Sequence, residues 1–316
     1  MDEITNNNDA LEKQPLVSII VITYNSSKYV LETLESAKAQ TYQNIELIVS
    51  DDCSTDNTVE ISREWIEKNK ERFVRTELIT AEKNTGIPAN CNRGVRAAKG
   101  EWVKFIAGDD ILDKKCIENY IAFVNEDHSI KITFAKFLRF EELNEGKFFY
   151  MPKYYGYKHF YSEKNNASKQ HRILLRRNFS HGPTIFIQKT LLETIGGFDE
   201  NYKFEDLPLA LNITRRGIKL YFLDKITVWY RTNIPSITNA YSTEKLFSSF
   251  YIHKEQFCKD KIYPEASIII VFFQKMEFKR LKIFDKYGFN RNNPFCRILF
   301  SMTYYLNPLN VYNLFF

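Results

Sequence analysis

Cysteine is scarce and unpatterned in this chain of 316 residues. Cys53, Cys91, Cys116, Cys258 and Cys296 show no CxxC or metal-finger spacing, and their number is odd. That argues against a disulfide framework and against a zinc module. No secretory leader stands at the N-terminus, so the expected compartment is reducing and cytoplasmic. No run of 18 or more strongly apolar residues occurs, which argues against a spanning helix. Glycine is also sparse, with 11 in all, and none lies in Tyr24-Asn25-Ser26-Ser27. Enzymes that make nucleotide conjugates need a glycine-rich phosphate loop after their first strand, and this chain has none there. Internal repeats and low-complexity tracts are missing. The net charge of +5 is modest, and no basic stripe interleaved with aromatics crosses the strand ends. Nucleic-acid binding is therefore not expected.

What is present is a globular composition: 44% hydrophobic, 26% charged and 15% aromatic. The length suits one large α/β domain or two smaller ones. Met1 to Gln14 is polar and rich in asparagine, and reads as a flexible tail. Val17 to Thr23 is a continuous β-branched run, the mark of a strand buried on both faces. A helix follows with Val30, Leu31, Leu34 and Ala37 at helical spacing. Ile45 to Ser50 is a second strand that runs into Asp51-Asp52-Cys53-Ser54-Thr55-Asp56. Asp56 is placed to cap a helix from Asn57 to about Lys68. Thr76 to Thr80 is a third strand, and Pro88 to Ala98 a helix that stops at Gly100.

The stretch from Gly100 to Asp113 carries the sharpest chemistry. A buried strand around Trp102, Val103, Phe105 and Ile106 ends abruptly in Ala107-Gly108-Asp109-Asp110. Adjacent carboxylates at the end of an apolar strand are costly unless a cation sits there. Mg²⁺ or Mn²⁺ suits such hard oxygen ligands, held by one or two carboxylates together with substrate phosphates. The competing reading is a plain acidic turn, with Asp110 or Asp113 capping the next helix. Strand and helix alternate at this spacing, which predicts right-handed crossovers and a mostly parallel sheet. Three loops then meet at one sheet edge: Tyr24-Asn25, Asp51 to Asp56, and Gly108 to Asp110. Ligands of open α/β sheets bind at that edge.

Further on, Ile117 to Val124 reads as a helix and Ile132 to Phe140 as a strand. Glu141 to Gln170 reads as a long surface excursion of the kind that forms lids and binding loops. Thr184 to Ile187 is strand-like, and a short helix ends at Gly196-Gly197. A helix is expected from the Glu205 to Pro208 region through Arg216. Leu220 to Leu223 and Val228 to Arg231 read as two closing strands.

Several of these pieces resemble the family 2 glycosyltransferases. They are Val17 to Asn25, Asp51 to Asp56, Asn84-Thr85-Gly86, Asn92-Arg93-Gly94 to Glu101, Gly108-Asp109-Asp110, Gly196-Gly197-Phe198-Asp199-Glu200 and Glu205-Asp206. The similarity covers about Leu16 to Thr232. It implies a GT-A type, Rossmann-like α/β fold with a mostly parallel sheet flanked by helices. The expected organisation is a tail over 1–14, a catalytic domain over 15–235 and a helical extension over 236–316. The resemblance also implies an inverting transfer from a nucleotide-sugar, in the first place a UDP-sugar, to a glycan hydroxyl. The acceptor is expected to be a glycan or lipid-linked glycan of a bacterial surface polysaccharide.

Residue by residue, the resemblance implies that Tyr24 lies against the base and that Asp52 accepts its ring N–H. Asp51 is expected to pack or cap locally. Asp109 would reach the ribose or a metal-bound water, and Asp110 would bind Mn²⁺ or Mg²⁺, with Asp109 beside it. Asp206 would be the general base, preferred over Glu205 by the family pattern, although Asp206 before Leu207-Pro208 also reads as a helix N-cap. Arg231 falls where relatives have a basic residue near the diphosphate, and His181 sits on the expected acceptor side. Three departures stand out. Ala107 replaces a further acidic residue, Cys91 a basic one, and Asn233 lies where some relatives place a metal-binding histidine. The rival from another functional class is a catalytically silent sugar-nucleotide-binding or scaffolding protein of the same fold.

Tyr241 to Phe316 lies outside the resemblance. Tyr251 to Lys261 and Ser267 to Tyr287 read as helices carrying Lys275, Lys279, Arg280, Lys282 and Lys286 among apolar residues. Ile298 to Phe316 has no charged side chain but is interrupted by Asn307, Pro308, Asn310 and Asn313. Such segments fit either a peripheral contact with the cytoplasmic face of a membrane or packing on the catalytic domain or across a homodimer.

Overall fold

The continuous β-branched runs become the centre of a sheet. In the computed structural model, which describes residues 14–143, 146–152, 156–232 and 245–315, β1 (Val17–Thr23) and β2 (Ile45–Asp51) are buried everywhere except at Ile22. Between them runs α1 (Val30–Lys38), and after β2 comes α2 (Thr58–Asn69). Asp56 accepts from Thr58 N–H at 3.1 Å, one residue before the helix cap at Asn57. On α1 the buried side is Val30, Thr33, Leu34, Ser36 and Ala37, while Leu31 points to solvent. The chain continues through β3 (Arg75–Thr80), α3 (Ile87–Ala97), β4 (Trp102–Ala107), β5 (Ile111–Leu112), α4 (Cys116–Glu126), β6 (Ile132–Leu143) and β7 (Gly146–Tyr150). After α5 (Tyr157–Phe160) and α6 (Ala167–Leu174) come β8 (Phe186–Gln188), α7 (Lys189–Ile195), α8 (Asp206–Arg215) and β9 (Tyr221–Arg231).

The strand order is β3-β2-β1-β4-β8-β6-β9-β5, with β7 attached to β6. The first four strands are parallel to one another. β8 is antiparallel to both β4 and β6. β9 lies parallel to β6, and β5 antiparallel to β9. The family of parallel strands puts the ends of β1, β2 and β4 side by side, with Thr23 opposite Asp51 and Ile22 opposite Ala107.

One buried charge sits in this parallel half. Glu46 on β2 is fully buried, yet its carboxylate accepts from Ser18 Oγ at 2.5 Å, Lys99 N–H at 2.5 Å, Gly100 N–H at 2.9 Å and Arg75 Nη1 at 2.9 Å. Burial alone would raise its pKa, but these donors hold it below the usual carboxylate range.

Two expectations are corrected here. Residues 141–170 are not a long excursion. β6 continues to Leu143 and returns as β7, with Arg139 opposite Tyr150. Beyond it Tyr157, Phe160, Ala167, Gln170 and Leu174 are buried. The reason is aromatic: Phe160 stacks on Phe179 at 4.6 Å, and Tyr157 meets Phe179 edge-on at 5.4 Å. Rings at irregular spacing make a core without leaving a periodic pattern. The two closing strands are a single strand, β9. Its register against β6 jumps from Leu223 opposite Ala135 to Ile226 opposite Lys136, so Asp224 and Lys225 bulge out and mimic a turn in the sequence.

The chain divides into two compact units, 1–152 with 180–231 and 153–179 with 232–316. The segment 153–179, expected inside the catalytic domain, groups with the C-terminal residues. In the second unit, α9 (Tyr251–Phe257) leads through a π-helical turn (Cys258–Ile262) to α10 (Ile268–Lys286), α11 (Pro294–Tyr305) and α12 (Pro308–Phe315). Arg280 of α10 lies 4.2 Å over the Phe300 ring and pairs with Glu277 at 2.6 Å. Asn307, buried between α11 and α12, donates to Phe273 O at 2.9 Å. Among the described residues no helix is long and apolar enough to cross a membrane.

Candidate active site

Three loops meet at the carboxyl ends of β1, β2 and β4. Gly108 N–H donates to Ile22 O, Asp52 N–H to Thr23 O, and Asn25 N–H to Ser54 Oγ at 2.8 Å. Asn25 Oδ1 accepts in turn from Thr55 N–H at 2.8 Å. Asn25 (φ 50°) and Cys53 (φ 65°) both adopt left-handed backbone, an uncommon state for these residues that marks tight, over-determined loops. Tyr24 stands half exposed at this rim. Asp51 is buried and accepts from Thr23 Oγ1 at 2.7 Å and Ser54 N–H at 2.8 Å. It packs locally, as its turn position predicts.

Asp52 is more committed than the sequence indicates. Its Oδ2 accepts from Thr85 N–H at 2.9 Å and Gly86 N–H at 2.7 Å, and its Oδ1 from Thr85 Oγ1 at 2.6 Å and Arg93 Nη2 at 3.1 Å. Burial pushes its pKa up, but these four donors outweigh that and hold it below the usual value. A carboxylate offers about four lone-pair sites, so an incoming base N–H has to displace one of the protein's own donors. The turn it holds needs glycine: Gly86 has φ +90° where it starts α3.

The acidic pair after β4 is held from two sides. On α1, Thr33 Oγ1 donates to Asp110 O at 2.7 Å, and Ser36 Oγ accepts from Leu112 N–H at 3.0 Å. On β9, Arg231 N–H donates to Asp110 Oδ1 at 2.9 Å and Arg231 Nε to Asp109 O at 2.8 Å. Asp110 Oδ2 is buried and has no hydrogen-bond partner. Burial, with the Asp109 charge second, holds the Asp110 carboxyl well above its usual range. Asp109 is raised by burial too, with Arg231 opposing.

Arg231, expected near a diphosphate, is held by protein groups in this structure. Its side chain is fully enclosed, with the guanidinium 4.2 Å from the Tyr29 ring and 4.5 Å from the Phe140 ring. Nη2 pairs with Glu32 at 3.2 Å, and Glu32 also takes Lys147 at 2.6 Å. A planar cation between two rings is stable here without a ligand. Arg231 therefore positions the acidic pair.

Glu205 and Asp206 stand at the start of α8. Glu205 is the residue before the helix, and a Cβ at Gly182 would overlap its Oε1. Burial, then the Asp206 charge, pushes the Glu205 carboxyl up to about 8. Asp206 occupies the first helical turn, not the cap, and its Oδ1 accepts from Leu207 N–H at 2.7 Å. The helix dipole favours a carboxylate there.

Two links tie this corner to the other loops. Cys91 of α3 is buried, and the Glu205 and Asp52 charges join burial in raising its thiol. Lys104 of β4, fully buried, donates to Pro183 O at 2.6 Å, next to the Gly182 that contacts Glu205. Burial lowers the Lys104 pKa to about 8, against the pull of Cys116 and Asp110. His181 is buried edge-on to Phe137 at 4.9 Å, and burial followed by the Arg139 charge lowers it to about 4. Its ring is therefore neutral in this setting.

Sequence reasoning missed the work of α3 and of Lys104. Asn90 Oδ1 accepts from Ser50 Oγ at 2.6 Å and Arg93 Nη1 at 2.9 Å. Asn92 holds both main-chain groups of Phe198 and donates to Glu200 at 2.8 Å. The available signal was the buried-helix context of Asn90 and Asn92, two polar residues on a short helix opened by proline. Among the described residues no three His, Cys, Asp or Glu side chains cluster to hold a metal. Asn233 lies outside the described residues.

Comparison with known proteins decides the family. The family model described as glycosyl transferase family 2 matches residues 18–196. The chain belongs to that family. An uncharacterized glycosyltransferase of Rickettsia typhi is 29% identical to this glycosyltransferase over 272 residues, covering 83% of this chain and 80% of that protein. The poly(ribitol-phosphate) β-N-acetylglucosaminyltransferase TarS of Staphylococcus aureus is 38% identical over 114 residues, covering 35% of this chain and 19% of TarS. A crystal structure of TarS superposes with a TM-score of 0.54 at 26% identity, covering 69% of this chain and 37% of that one. TarS 1–349 in complex with UDP-GlcNAc superposes with a TM-score of 0.53 at 25% identity, covering 70% of this chain and 60% of that one. The glycosyltransferase thus has a GT-A fold and spans about a third of the full TarS chain.

Proposed function

We propose that this glycosyltransferase transfers a sugar from a UDP-sugar to a glycan hydroxyl with inversion at the anomeric carbon. The observation that carries the reading is the buried, unpartnered Oδ2 of Asp110 at the meeting point of three loops. An orphaned carboxylate oxygen beside a second carboxylate fits a divalent cation that completes its shell with substrate phosphates. Asp110, with Asp109 beside it, would hold Mn²⁺ or Mg²⁺, which when bound neutralises charge on a leaving diphosphate. The TarS complexes with UDP and UDP-GlcNAc support a uridine diphosphate donor.

Tyr24, half exposed at the rim, offers a face to the base. Asp52 receives the base N–H in exchange for the Thr85 hydroxyl, whose O–H rotates to another acceptor more cheaply than a main-chain N–H can move. Asp206, in the first turn of α8 beside Glu205, takes the proton of the acceptor hydroxyl. Glu205 and Gly182 fix the start of α8 and thereby the place of Asp206. The relative TarS, named for a poly(ribitol-phosphate) acceptor, supports a polymer of the bacterial surface as acceptor. A lipid-linked acceptor would put the enzyme beside a bilayer.

The test is release of UDP from a panel of UDP-sugars, with Mn²⁺, with Mg²⁺ and with chelator, followed by product NMR. Metal-dependent release and an inverted anomeric configuration are expected. No release with any donor or acceptor, despite donor binding, would make this a silent sugar-nucleotide-binding protein instead.

A further inference from the structure

Five large apolar side chains on α11 and its C-cap face solvent: Phe295, Ile298, Met302, Tyr305 and Leu306, each between 56% and 74% exposed. Their spacing is that of a single helical face. The opposite face is already in use. Cys296 is buried, and Phe300 packs on Phe247 at 5.6 Å and on Phe284 at 5.4 Å. α11 is therefore apolar on both sides, with only the inner one covered. α10 shows the same arrangement: Ile268, Ile269, Phe272, Met276 and Ile283 are exposed, while Phe284 is its only buried residue. Single exposed apolar residues are ordinary, but contiguous stripes of this size mark an interaction surface.

We propose that the outer faces of α10 and α11 dock onto an anionic lipid surface, lying in the plane of the interface. Charge points to this occupant. Residues 268–316 carry seven basic and two acidic side chains, so the whole +5 of the chain resides there and the remainder is balanced. From Lys286 onward there is no acidic residue at all. Lys275, Lys279 and Lys286 are exposed on α10 near the apolar stripe, the arrangement by which long basic side chains reach phosphate headgroups while apolar neighbours sink. Tyr287 and Tyr305, exposed at the helix ends, have the amphipathic rings that suit that depth. The twelve residues of α11 span about 18 Å, too short for a hydrocarbon core of roughly 30 Å, so the helix lies along the surface. A second copy of the chain fits less well. A two-fold interface brings identical patches together, and here it would set lysines against lysines. The docking is independent of the transfer reaction.

Co-sedimentation of the full chain with vesicles tests it, without donor or metal. Phosphatidylcholine vesicles are compared with vesicles containing about one third phosphatidylglycerol, the anionic lipid attracting basic segments. Binding to the anionic vesicles and its decline at high salt are expected. The variant Phe295→Ser, Ile298→Ser, Met302→Ser, Leu306→Ser should lose partitioning about tenfold or more. Circular dichroism checks that it folds. If it does not, the pair Met302→Asp, Leu306→Asp, confined to exposed positions, gives the same readout. Equal sedimentation of parent and folded variant, or no binding to anionic vesicles, overturns the proposal. So does a dimer in sedimentation velocity that the same substitutions abolish while vesicle binding is absent.

Discussion

Arg231 and Asp110, 121 residues apart in sequence, share one carboxylate unevenly. The main-chain N–H of Arg231 satisfies Oδ1 at 2.9 Å, and Oδ2 stays buried and unpartnered. The metal-free protein thus carries a local cost that a cation would relieve. Asp110→Asn should abolish the rise in unfolding midpoint that Mn²⁺ and UDP together produce in the parent. A normal Mn²⁺–UDP stabilisation of Asp110→Asn would rule out Asp110 as the ligand.

Asp206 and Asp110 are expected to fail differently. Asp206→Asn removes the proposed proton acceptor, whereas Asp110→Asn removes a proposed ligand of the donor's cation. Turnover should drop by about 10²–10⁴, with UDP affinity unchanged within about twofold. Calorimetric UDP binding beside steady-state kinetics separates the two. Ordinary turnover in Asp206→Asn would remove it as the base.

Arg231 acts through shape as well as charge. Arg231→Lys keeps the charge but not the planar group held between Tyr29 and Phe140. A loss of about 1.5–3 kcal/mol in chemical denaturation is expected, as for a hydrogen bond to a charged group. Donor binding should weaken because the Asp109–Asp110 loop is loosened. A lysine variant as stable as the parent would show the stacking to be incidental.

The Glu205 carboxyl, pushed up to about 8, makes stability depend on pH. A carboxyl raised in the folded state binds a proton that the unfolded chain has released. Its contribution is complete below the unfolded value near 4.5 and is lost as pH rises toward about 8. Glu205→Gln should flatten the decline in stability between those limits. Denaturation at pH 5, 7 and 8.5 measures the difference, and parallel curves would show that the group ionises normally.

Glu46 has the opposite sign. Its pKa is lowered in the fold, so its contribution is present above the unfolded value near 4.5 and is lost as pH falls through the folded value. Glu46→Ala takes the acceptor from Lys99 N–H and one acceptor each from Gly100 N–H and the Arg75 guanidinium, which keep Ser18 Oγ and Ala97 O. A destabilisation of about 3–5 kcal/mol is expected at pH 7 and a smaller one in acid. A pH-independent effect would mean that packing alone is lost.

Much of the parallel half could be read from the chain because its determinants are local. The β-branched runs at Val17 to Thr23 and Ile45 to Asp51 specify doubly buried strands, and Pro88 and Gly100 bracket a helix. Segment 153–179 was opaque for the opposite reason. Its core is made by rings at 157, 160 and 179, which have no period to detect. The bulge at Asp224-Lys225 misled because two charged residues inside a strand look like a turn.

The sequence by itself determined which carboxylates would end the strands and that three acidic or polar loops would share an edge, since parallel pairing follows from the strand-helix alternation. Only the tertiary structure decided what each carboxylate has left to offer. Asp52 has its lone pairs filled, Asp110 keeps one oxygen bare, and Glu205 is buried with its carboxyl pushed up. Those states depend on donors and on burial contributed by residues such as Arg93, Arg231 and Gly182, distant in sequence and brought close only when the chain folds.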